Sequence, residues 1–240
     1  MVTLYVYINL KAKYHKRLVA IYRRCYNIYD KYGQKRQGGD KMSILSDNIL
    51  EFMENNGGTI DLKDAEKENF SPKKLQRMAK KGKIERVSDG LYLHPEFLED
   101  EYYTFQHRAP KAIFSHETAL YLHKLSDENP IKITATIPSG YNSAMIKERD
   151  KYRFYYLKED LWQKGQETIK SPFGKLLNVY TKEMTLVQMI SKIDNLDRDL
   201  VLTALKRGLR NKELDTLKLL DYSKDFRCEE QMRNYLEVLI

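Results

Sequence analysis

Apolar residues recur at helical spacing through residues 42–56. Leu45, Ile49, Phe52 and Met53 are separated by four, three and one positions, which places them on one face of a helix. The sequence NNGG that follows is typical of a helix end, because glycine and asparagine accept the backbone conformations found there. The pattern therefore predicts a first helix that packs on one face.

A strand and a short second helix are predicted next. Thr59 and Ile60 fit a minimal strand, and Asp61, with Asp64 three residues later, has the spacing of a helix N-cap. The apolar residues that we assign to the buried side of this second helix are Leu62, Ala65 and Phe70.

A third helix carries the clearest pattern in the chain. Ser71 and Pro72 have the residue types of an N-cap and a first helical position. At about 100° per residue, the polar and basic side chains occupy an arc of about 160°, which holds Gln76, Lys80, Lys73, Arg77, Lys81 and Lys74. The opposite arc of about 100° holds the apolar Met78, Leu75 and Ala79. One face is predicted to be core and the other cationic.

A β-hairpin is predicted after this helix. Gly82 suits the end of the helix, and residues 84–87 and 91–93 flank the tripeptide Ser88-Asp89-Gly90. Asp-Gly favours the positive φ that a tight hairpin turn requires. The order helix, strand, helix, helix, hairpin is that of a winged helix-turn-helix domain, which we place at residues 42–97.

This order suggests a role for the cationic face. In a helix-turn-helix the second helix of the pair enters the major groove, where Lys and Arg contact phosphates or guanine and Gln pairs with adenine. We expect Gln76 and Arg77 nearest the base edges and several lysines on phosphates. The predicted DNA-binding residues are Ser71, Lys73, Lys74, Gln76, Arg77, Lys80 and Lys81 in the helix, with Lys83 and Arg86 at the wing. A solvated basic face, or a winged helix that binds protein, is the alternative.

Residues 102–240 are predicted to form a second domain of mixed α and β structure. The acidic run after His94-Pro95 marks the boundary. A helix is expected from Ser115 to Leu125, and strands are expected at residues 131–137, 152–157 and 176–180. From Glu183 onward, three- and four-residue apolar spacing predicts a helical tail. The predicted fold class of the whole chain is therefore α+β.

Candidate catalytic and metal-binding residues are few in this second half. His116 and His123 share a helical face, but the pair lacks a clear third ligand, so capping and core roles are favoured over a metal site. No glycine-rich phosphate loop, nucleophile elbow or compact carboxylate pair occurs in the sequence. We therefore expect a protein that is not an enzyme and that needs no cofactor.

Two other clusters receive structural roles. Helix capping is assigned to the aspartates Asp194, Asp197 and Asp199. A core position is assigned to Trp162 and to the tyrosines Tyr152, Tyr155 and Tyr156, with a base-stacking platform as the alternative.

One basic segment indicates a polyanion partner, whereas the net charge of the whole chain does not. The chain carries a formal net charge of +8. Residues 1–41 hold ten Lys/Arg and two Asp/Glu, which leaves thirty-two of each in the rest of the chain. The segment from Ser71 to Val87 is the strongest basic cluster in that formally neutral remainder.

Residues 1–41 are predicted to be mis-annotated upstream sequence. The hexapeptide QGGDKM at residues 37–42 can be back-translated to a stretch containing AAGGAGGTGAT, which resembles a bacterial ribosome-binding site ahead of a start codon at Met42. A basic N-terminal extension with a helix at residues 11–32 is the alternative.

Cysteine content and hydropathy indicate the cellular compartment of the protein. Cys25 and Cys228 are too few for a disulfide framework and suit a reducing environment. The apolar run at the N-terminus is far shorter than the roughly 20 residues of a membrane helix. These features predict a soluble, cytoplasmic protein.

From Met42 to Ile240 the chain resembles the AbiEi family, the antitoxins of bacterial type IV abortive-infection toxin-antitoxin systems. The resemblance rests on the order and spacing of four segments, GKIERVSDGLYLHP, SHETALYLHKLSD, IKITATIP and VYTKEMTLVQMISK. Relatives often carry Arg where this chain has Met184, so a salt bridge or contact made by that arginine is in doubt here.

The resemblance implies a transcriptional repressor of its own two-gene operon. Its winged helix would bind inverted repeats in the promoter, often as two copies that bend the DNA. The second half would carry the antitoxin activity against a nucleotidyltransferase-like toxin, without a stable protein complex. The implied partners are thus double-stranded promoter DNA and this toxin. A protein that neutralises a toxin by direct contact is the competing interpretation.

Overall fold

The computed structural model describes residues 41–239, with side chains from residue 48 onward. The predictions for residues 1–40 lie outside the described residues. The chain divides into two compact units, the first ending at Asp100 and the second beginning at Glu101. Each unit has its own sheet and its own apolar core.

Three helices and a small sheet form the described part of the first unit. The helices are α1 (Lys41–Asn55), α2 (Leu62–Lys67) and α3 (Pro72–Lys80), and the strands are β1 (Thr59–Asp61), β2 (Glu85–Ser88) and β3 (Leu91–Leu93). The strands form an antiparallel sheet in the order β1-β3-β2. The hairpin turn between β2 and β3 is formed by Asp89 and Gly90, and Gly90 has a φ of +74°. The predicted element order is confirmed in this part of the chain.

Local caps explain where α2 and α3 begin and end. Asp61 caps α2, because its carboxylate accepts a hydrogen bond from the Asp64 amide at 2.7 Å. Pro72 begins α3 at a position where a missing amide proton costs nothing. At the other end, the Gly82 amide donates to the Ala79 carbonyl at 3.0 Å, and the Lys83 amide donates to the Met78 carbonyl at 2.9 Å. This pair of bonds is a Schellman motif, which stops the helix before the hairpin.

The core of the first unit brings all of its described elements together. Its buried members come from α1, β1, α2, α3, the residue directly before β2, and the central strand β3, namely Ile49, Met53, Ile60, Ala65, Leu75, Met78, Ile84 and Tyr92. The prediction that Leu62 is buried was wrong, because its side chain is 43% exposed. Leu62 is the first residue of α2, and its side chain lies beside Gly90 in the hairpin turn and not in the core.

A mixed five-stranded sheet lies at the centre of the second unit. Its strands are β4 (Ile113–Phe114), β5 (Ile133–Pro138), β6 (Tyr152–Leu157), β7 (Gln166–Lys170) and β8 (Leu176–Tyr180), in the order β6-β5-β4-β8-β7. The pairs β5/β6 and β4/β8 are parallel, and the other two pairs are antiparallel. Strand β6 is therefore an edge of this sheet.

Helices cover the sheet and form the C-terminal part of the second unit. They are α4 (Glu101–Arg108), α5 (His116–Leu122), α6 (Glu159–Gln163), α7 (Lys182–Ile190), α8 (Arg198–Arg210), α9 (Thr216–Asp225) and α10 (Glu229–Leu239), with short 3₁₀ turns at Ala144–Lys147 and Ile193–Asn195. The predictions of a chain with both helices and sheets and of a helical tail are confirmed. Among the residues described, no helix combines the length and the apolar character needed to cross a bilayer.

Candidate nucleic-acid interface

Helix α3 presents two chemically distinct faces. Leu75 and Met78 are 0% and 4% exposed, and both belong to the core of the first unit. The opposite face is exposed and consists of Lys73, Gln76, Arg77 and Lys80, and it continues past the helix end with Lys81 and Lys83. No carboxylate lies on α3, so these cations are not neutralised by neighbours on their own helix. We call this surface the cationic face.

Lys74 differs from the other cations of α3. At about 100° per residue it lies about 40° from Met78, at the border between the two faces. Its side chain is half-buried, and its Nζ is inaccessible to solvent and has no hydrogen-bond partner among the described residues. Burial lowers the pKa of Lys74, and the charges of Arg77 and Lys83 lower it further. The cationic face is thus narrower than the arc predicted from the sequence.

The N-terminus of α3 is open to solvent. Ser71 is exposed at the N-cap, and its side chain makes no capping hydrogen bond in the described structure. The hydroxyl can therefore donate to an anion. The positive end of the helix dipole lies at the same place, which favours a phosphate there.

The hairpin after α3 carries Lys83 and Arg86. Both are exposed, and Arg86 forms an ion pair with Asp89 in the turn. A β-bulge shifts the register of β2 between Arg86 and Ser88. Because exposed ion pairs are worth little in water, a phosphate can displace Asp89 from Arg86. The sequence prediction missed this partner, although a basic and an acidic residue three positions apart across a tight turn signal it.

The two histidines of the second unit have different surroundings. The His116 ring is buried and stacks on the Tyr155 ring, with 3.6 Å between the ring centres. The His123 ring bonds to the Tyr180 carbonyl through Nε2 at 2.7 Å. No group of three His, Cys, Asp or Glu residues able to hold a metal ion occurs in the part of the chain that the structure describes.

The remaining structural assignments have mixed outcomes. Asp197 caps α8 by accepting from the Leu200 amide at 3.1 Å, as predicted. Trp162 packs beside a buried cluster of Ile113, Tyr180 and Met184, also as predicted. Tyr156 was assigned to the core, but it is 48% exposed, so that assignment was wrong.

Position 184 holds methionine in this chain, so the resemblance left a salt bridge by arginine there in doubt. Its side chain is fully buried in the apolar cluster, close to Gly165. This position therefore holds an apolar contact and no charge in this chain.

A comparison with protein families finds a match within the first unit. Residues 47–95 match a family model described as transcriptional regulator, AbiEi antitoxin. This segment is similar to the AbiEi antitoxin family of transcriptional regulators. The match covers 49 of the 240 residues. No curated protein matches the chain.

The AbiEi segment contains α2, α3, the whole three-stranded sheet and most of α1. Every residue that was predicted to bind DNA lies within it. The resemblance stated from the sequence is therefore confirmed for this segment. The second unit lies outside the matched residues.

Proposed function

We propose that the first unit is a winged helix-turn-helix that binds double-stranded DNA and represses the protein's own operon. The observation that carries this proposal is the cationic face, which is exposed, free of carboxylates on α3, and backed by a buried apolar face on the same helix. The AbiEi match supports the regulatory role. The element order and the antiparallel hairpin directly after α3 support the winged-helix assignment.

The proposed docking places α3 in the major groove as the second helix of the α2–α3 pair. Gln76 and Arg77 then reach base edges, because amide and guanidinium groups can form paired hydrogen bonds with adenine and guanine. Lys73, Lys80 and Lys81 contact phosphates, which fix the register on the duplex. The hairpin acts as the wing, with Lys83 and Arg86 on the adjacent backbone.

The proposal extends to the second unit by way of the family. We infer that the chain is the antitoxin of a type IV toxin-antitoxin operon and works in the cytoplasm. Its second unit opposes a nucleotidyltransferase-like toxin encoded in the same operon, without a stable complex and without enzymatic activity of its own. Inverted repeats in the promoter are the expected operator, since two copies of a small DNA-binding domain fit a palindromic site.

Promoter binding tests the regulatory part of this proposal. A labelled duplex of the protein's own upstream region, titrated with the full chain, is expected to bind far more tightly than a shuffled duplex of the same length and composition. Footprinting is expected to protect two repeated half-sites. Equal affinity for both duplexes at moderate salt would show that the cationic face binds DNA without sequence preference and would contradict repression of a specific operon.

The antitoxin part has a separate test. Co-expression with the adjacent gene product is expected to restore growth, while the two proteins separate on a column at moderate salt. Co-purification of the two proteins would instead support neutralisation by direct contact.

A further inference from the structure

The outer edge of strand β6 forms one wall of a half-open cavity in the second unit. The cavity has a volume of about 330 Å³. It is lined by Ile146 together with three basic and three aromatic residues, namely Lys132, Arg149, Arg153, Tyr152, Phe154 and Tyr156. We call it the β6 pocket. Its volume lies at the small end of the range for ligand sites, which corresponds to a ligand of about the size of one nucleotide.

The basic residues of the β6 pocket are available to an anion. Lys132 is anchored by a hydrogen bond from its Nζ to the Arg149 carbonyl at 2.7 Å, which engages one of its three donors. The Arg149 side chain is exposed and forms no ion pair with any residue that the structure describes. Arg153 is 49% exposed, and its Nη1 lies 3.5 Å from the Glu117 carboxylate. No carboxylate lines the pocket.

A neighbouring cavity supplies an internal comparison. It has a volume of about 300 Å³ and shares Lys132 and Arg153 with the β6 pocket. Glu117 and Glu128 also line it, so the formal charge of its lining is balanced. Arg149 lines only the β6 pocket of the two, and the excess positive charge is therefore concentrated there.

Two of the three aromatic residues of the β6 pocket pack against the core of the second unit, and the third is accessible to solvent. The Tyr152 ring packs at 5.1 Å from the Phe105 ring, and Phe154 also packs on the Phe105 ring. Tyr156 follows on the same side of the strand and is 48% exposed. Strand alternation places Tyr155 on the opposite side, against His116. Tyr156 is therefore the aromatic residue of the pocket that is most accessible to a ligand.

We propose that the β6 pocket binds a nucleotide unit. The phosphate contacts Arg149, Lys132 and Arg153, and the base stacks on Tyr156. Cations around a phosphate and an aromatic surface for a base are the two elements by which proteins hold unpaired nucleotides. The nucleotide is either a free mononucleotide or one residue of a single-stranded RNA, and the chemistry of recognition is the same for both.

Calorimetric titration of the full chain with UMP and AMP tests this proposal, with uridine and inorganic phosphate as partial ligands. The nucleotides are expected to bind at least tenfold more tightly than either part. Arg149→Ala is expected to weaken nucleotide binding about tenfold or more, because it removes a charge-assisted hydrogen bond. The matched control is Arg210→Ala, which removes an exposed arginine from α8 and is expected to leave the affinity unchanged.

Tyr156 variants test the stacking contact. Tyr156→Ala is expected to weaken binding about fivefold or more, whereas Tyr156→Phe keeps the ring and is expected to bind within about twofold of the natural chain. The same titrations are repeated with a chain that carries Lys73→Ala, Arg77→Ala and Lys81→Ala. Unchanged nucleotide affinity in this chain is expected and excludes binding at α3. Loss of nucleotide affinity in that background would assign the binding to the first unit and overturn the proposal.

Octauridylate distinguishes the two sources of the nucleotide. An affinity more than tenfold above that of UMP indicates an RNA strand, and a similar affinity indicates a free mononucleotide. The proposal is overturned if the nucleotides do not bind at millimolar concentration, or if inorganic phosphate binds as tightly as UMP. It is also overturned if Arg149→Ala and Tyr156→Ala bind UMP like the natural chain, or if an acidic peptide competes with UMP on equal terms.

Discussion

Lys74 illustrates how one side chain can carry a charge of helix α3 and still lower the stability of the fold. Its Nζ is inaccessible and has no hydrogen-bond partner in the described part of the chain, and its pKa is lowered. A lowered lysine pKa means that the folded state binds the proton less tightly than the unfolded chain does. The charged lysine therefore lowers the free energy of unfolding at neutral pH. This destabilisation disappears only as the pH rises towards 10.5, the pKa of lysine in the unfolded chain.

Replacing this lysine should separate stability from binding. Lys74→Met is expected to raise the free energy of unfolding at pH 7 by up to about 1 kcal/mol, because it removes an unsatisfied buried donor. The matched variant Lys73→Met removes an exposed cation and is expected to leave stability unchanged while weakening DNA binding more than Lys74→Met does. Urea unfolding followed by far-UV circular dichroism measures the first effect. A Lys74→Met chain that is less stable than the natural one would show that the ammonium has a partner.

His116 provides a residue-scale prediction for the second unit. Its backbone has a φ of +50°, in the left-handed region. Burial lowers the pKa of His116 to about 3, and the charges of Lys192 and Arg153 contribute to the shift. The unfolded chain protonates this histidine near pH 6.5, whereas the folded chain does so only near pH 3.

Stability of the second unit should therefore fall as the pH is lowered from 6.5 towards 3. The contribution of His116 is expected to reach about 1.4 kcal/mol per pH unit within this window. His116→Asn is the matched variant, since asparagine tolerates a positive φ but does not titrate. The chain has one tryptophan, Trp162, whose fluorescence reports on this unit during urea unfolding. An unchanged pH dependence in His116→Asn would contradict the assignment of a neutral, buried imidazole.

At the scale of secondary structure elements, Gly58 joins α1 to β1 in a confined space. It has a φ of +79°, and a Cβ at this position would lie 2.3 Å from Phe97 Cγ. Gly58→Ala is expected to lower the free energy of unfolding of the first unit by several kcal/mol, since overpacking adds to backbone strain. Gly82 has a similar φ of +67°, but no atom lies near a Cβ added there. Gly82→Ala is therefore expected to lower the free energy of unfolding by only about 1 kcal/mol.

The difference in free energy of unfolding between these two alanine variants measures the cost of the contact with Phe97. Urea unfolding followed by circular dichroism gives both values. Equal losses of stability would mean that strain alone acts at Gly58 and that Phe97 moves aside.

The elements that sequence reasoning found are those with a local cause. Asp61, Pro72 and Asp197 act within one helical turn of themselves, so residue type and spacing suffice to predict them. The two faces of α3 follow from the helical period, because Leu75, Met78 and Ala79 stand at i, i+3 and i+4 and the polar positions fall between and around them. The border position of Lys74 could also have been read from that period.

The elements that sequence reasoning missed depend on the rest of the fold. Strand β4 has two residues, and its pairing with β5 and β8 is set by their approach in space. Strand β7 is an edge strand with a mostly exposed, polar sequence, so it lacks the alternation that marks a strand. The β6 pocket was not foreseen as a site for the same reason, since its wall combines residues from β6 with residues before it in the chain.

The two units of the chain have separate proposed tasks. The cationic face lies in the first unit, and the helical tail and the β6 pocket lie in the second. Residues 42–240 are formally neutral, so within this part of the chain the local cluster, and not net charge, must attract DNA.

This division predicts that repression and antitoxin activity can be separated. The variant Lys73→Ala, Arg77→Ala, Lys81→Ala is expected to lose repression of a promoter reporter. The same variant, expressed from an unrelated promoter, is expected to protect cells against the toxin as well as the natural chain does. A parallel loss of both activities, with unchanged levels of folded protein, would contradict the separation.

We propose above that the cationic face of α3 contacts DNA phosphates and bases, and this contact can be tested directly. Its most direct test is the salt dependence of promoter binding for three proteins: the natural chain, the α3 triple variant above, and a control with Lys206→Ala, Arg210→Ala and Lys218→Ala. The control removes the same charge from exposed positions of the second unit. The slope of log affinity against log salt is expected to become shallower by about two units in the α3 variant only, at about 0.9 for each of the phosphate contacts of Lys73 and Lys81. Equal slopes and affinities for the α3 variant and the natural chain would contradict it.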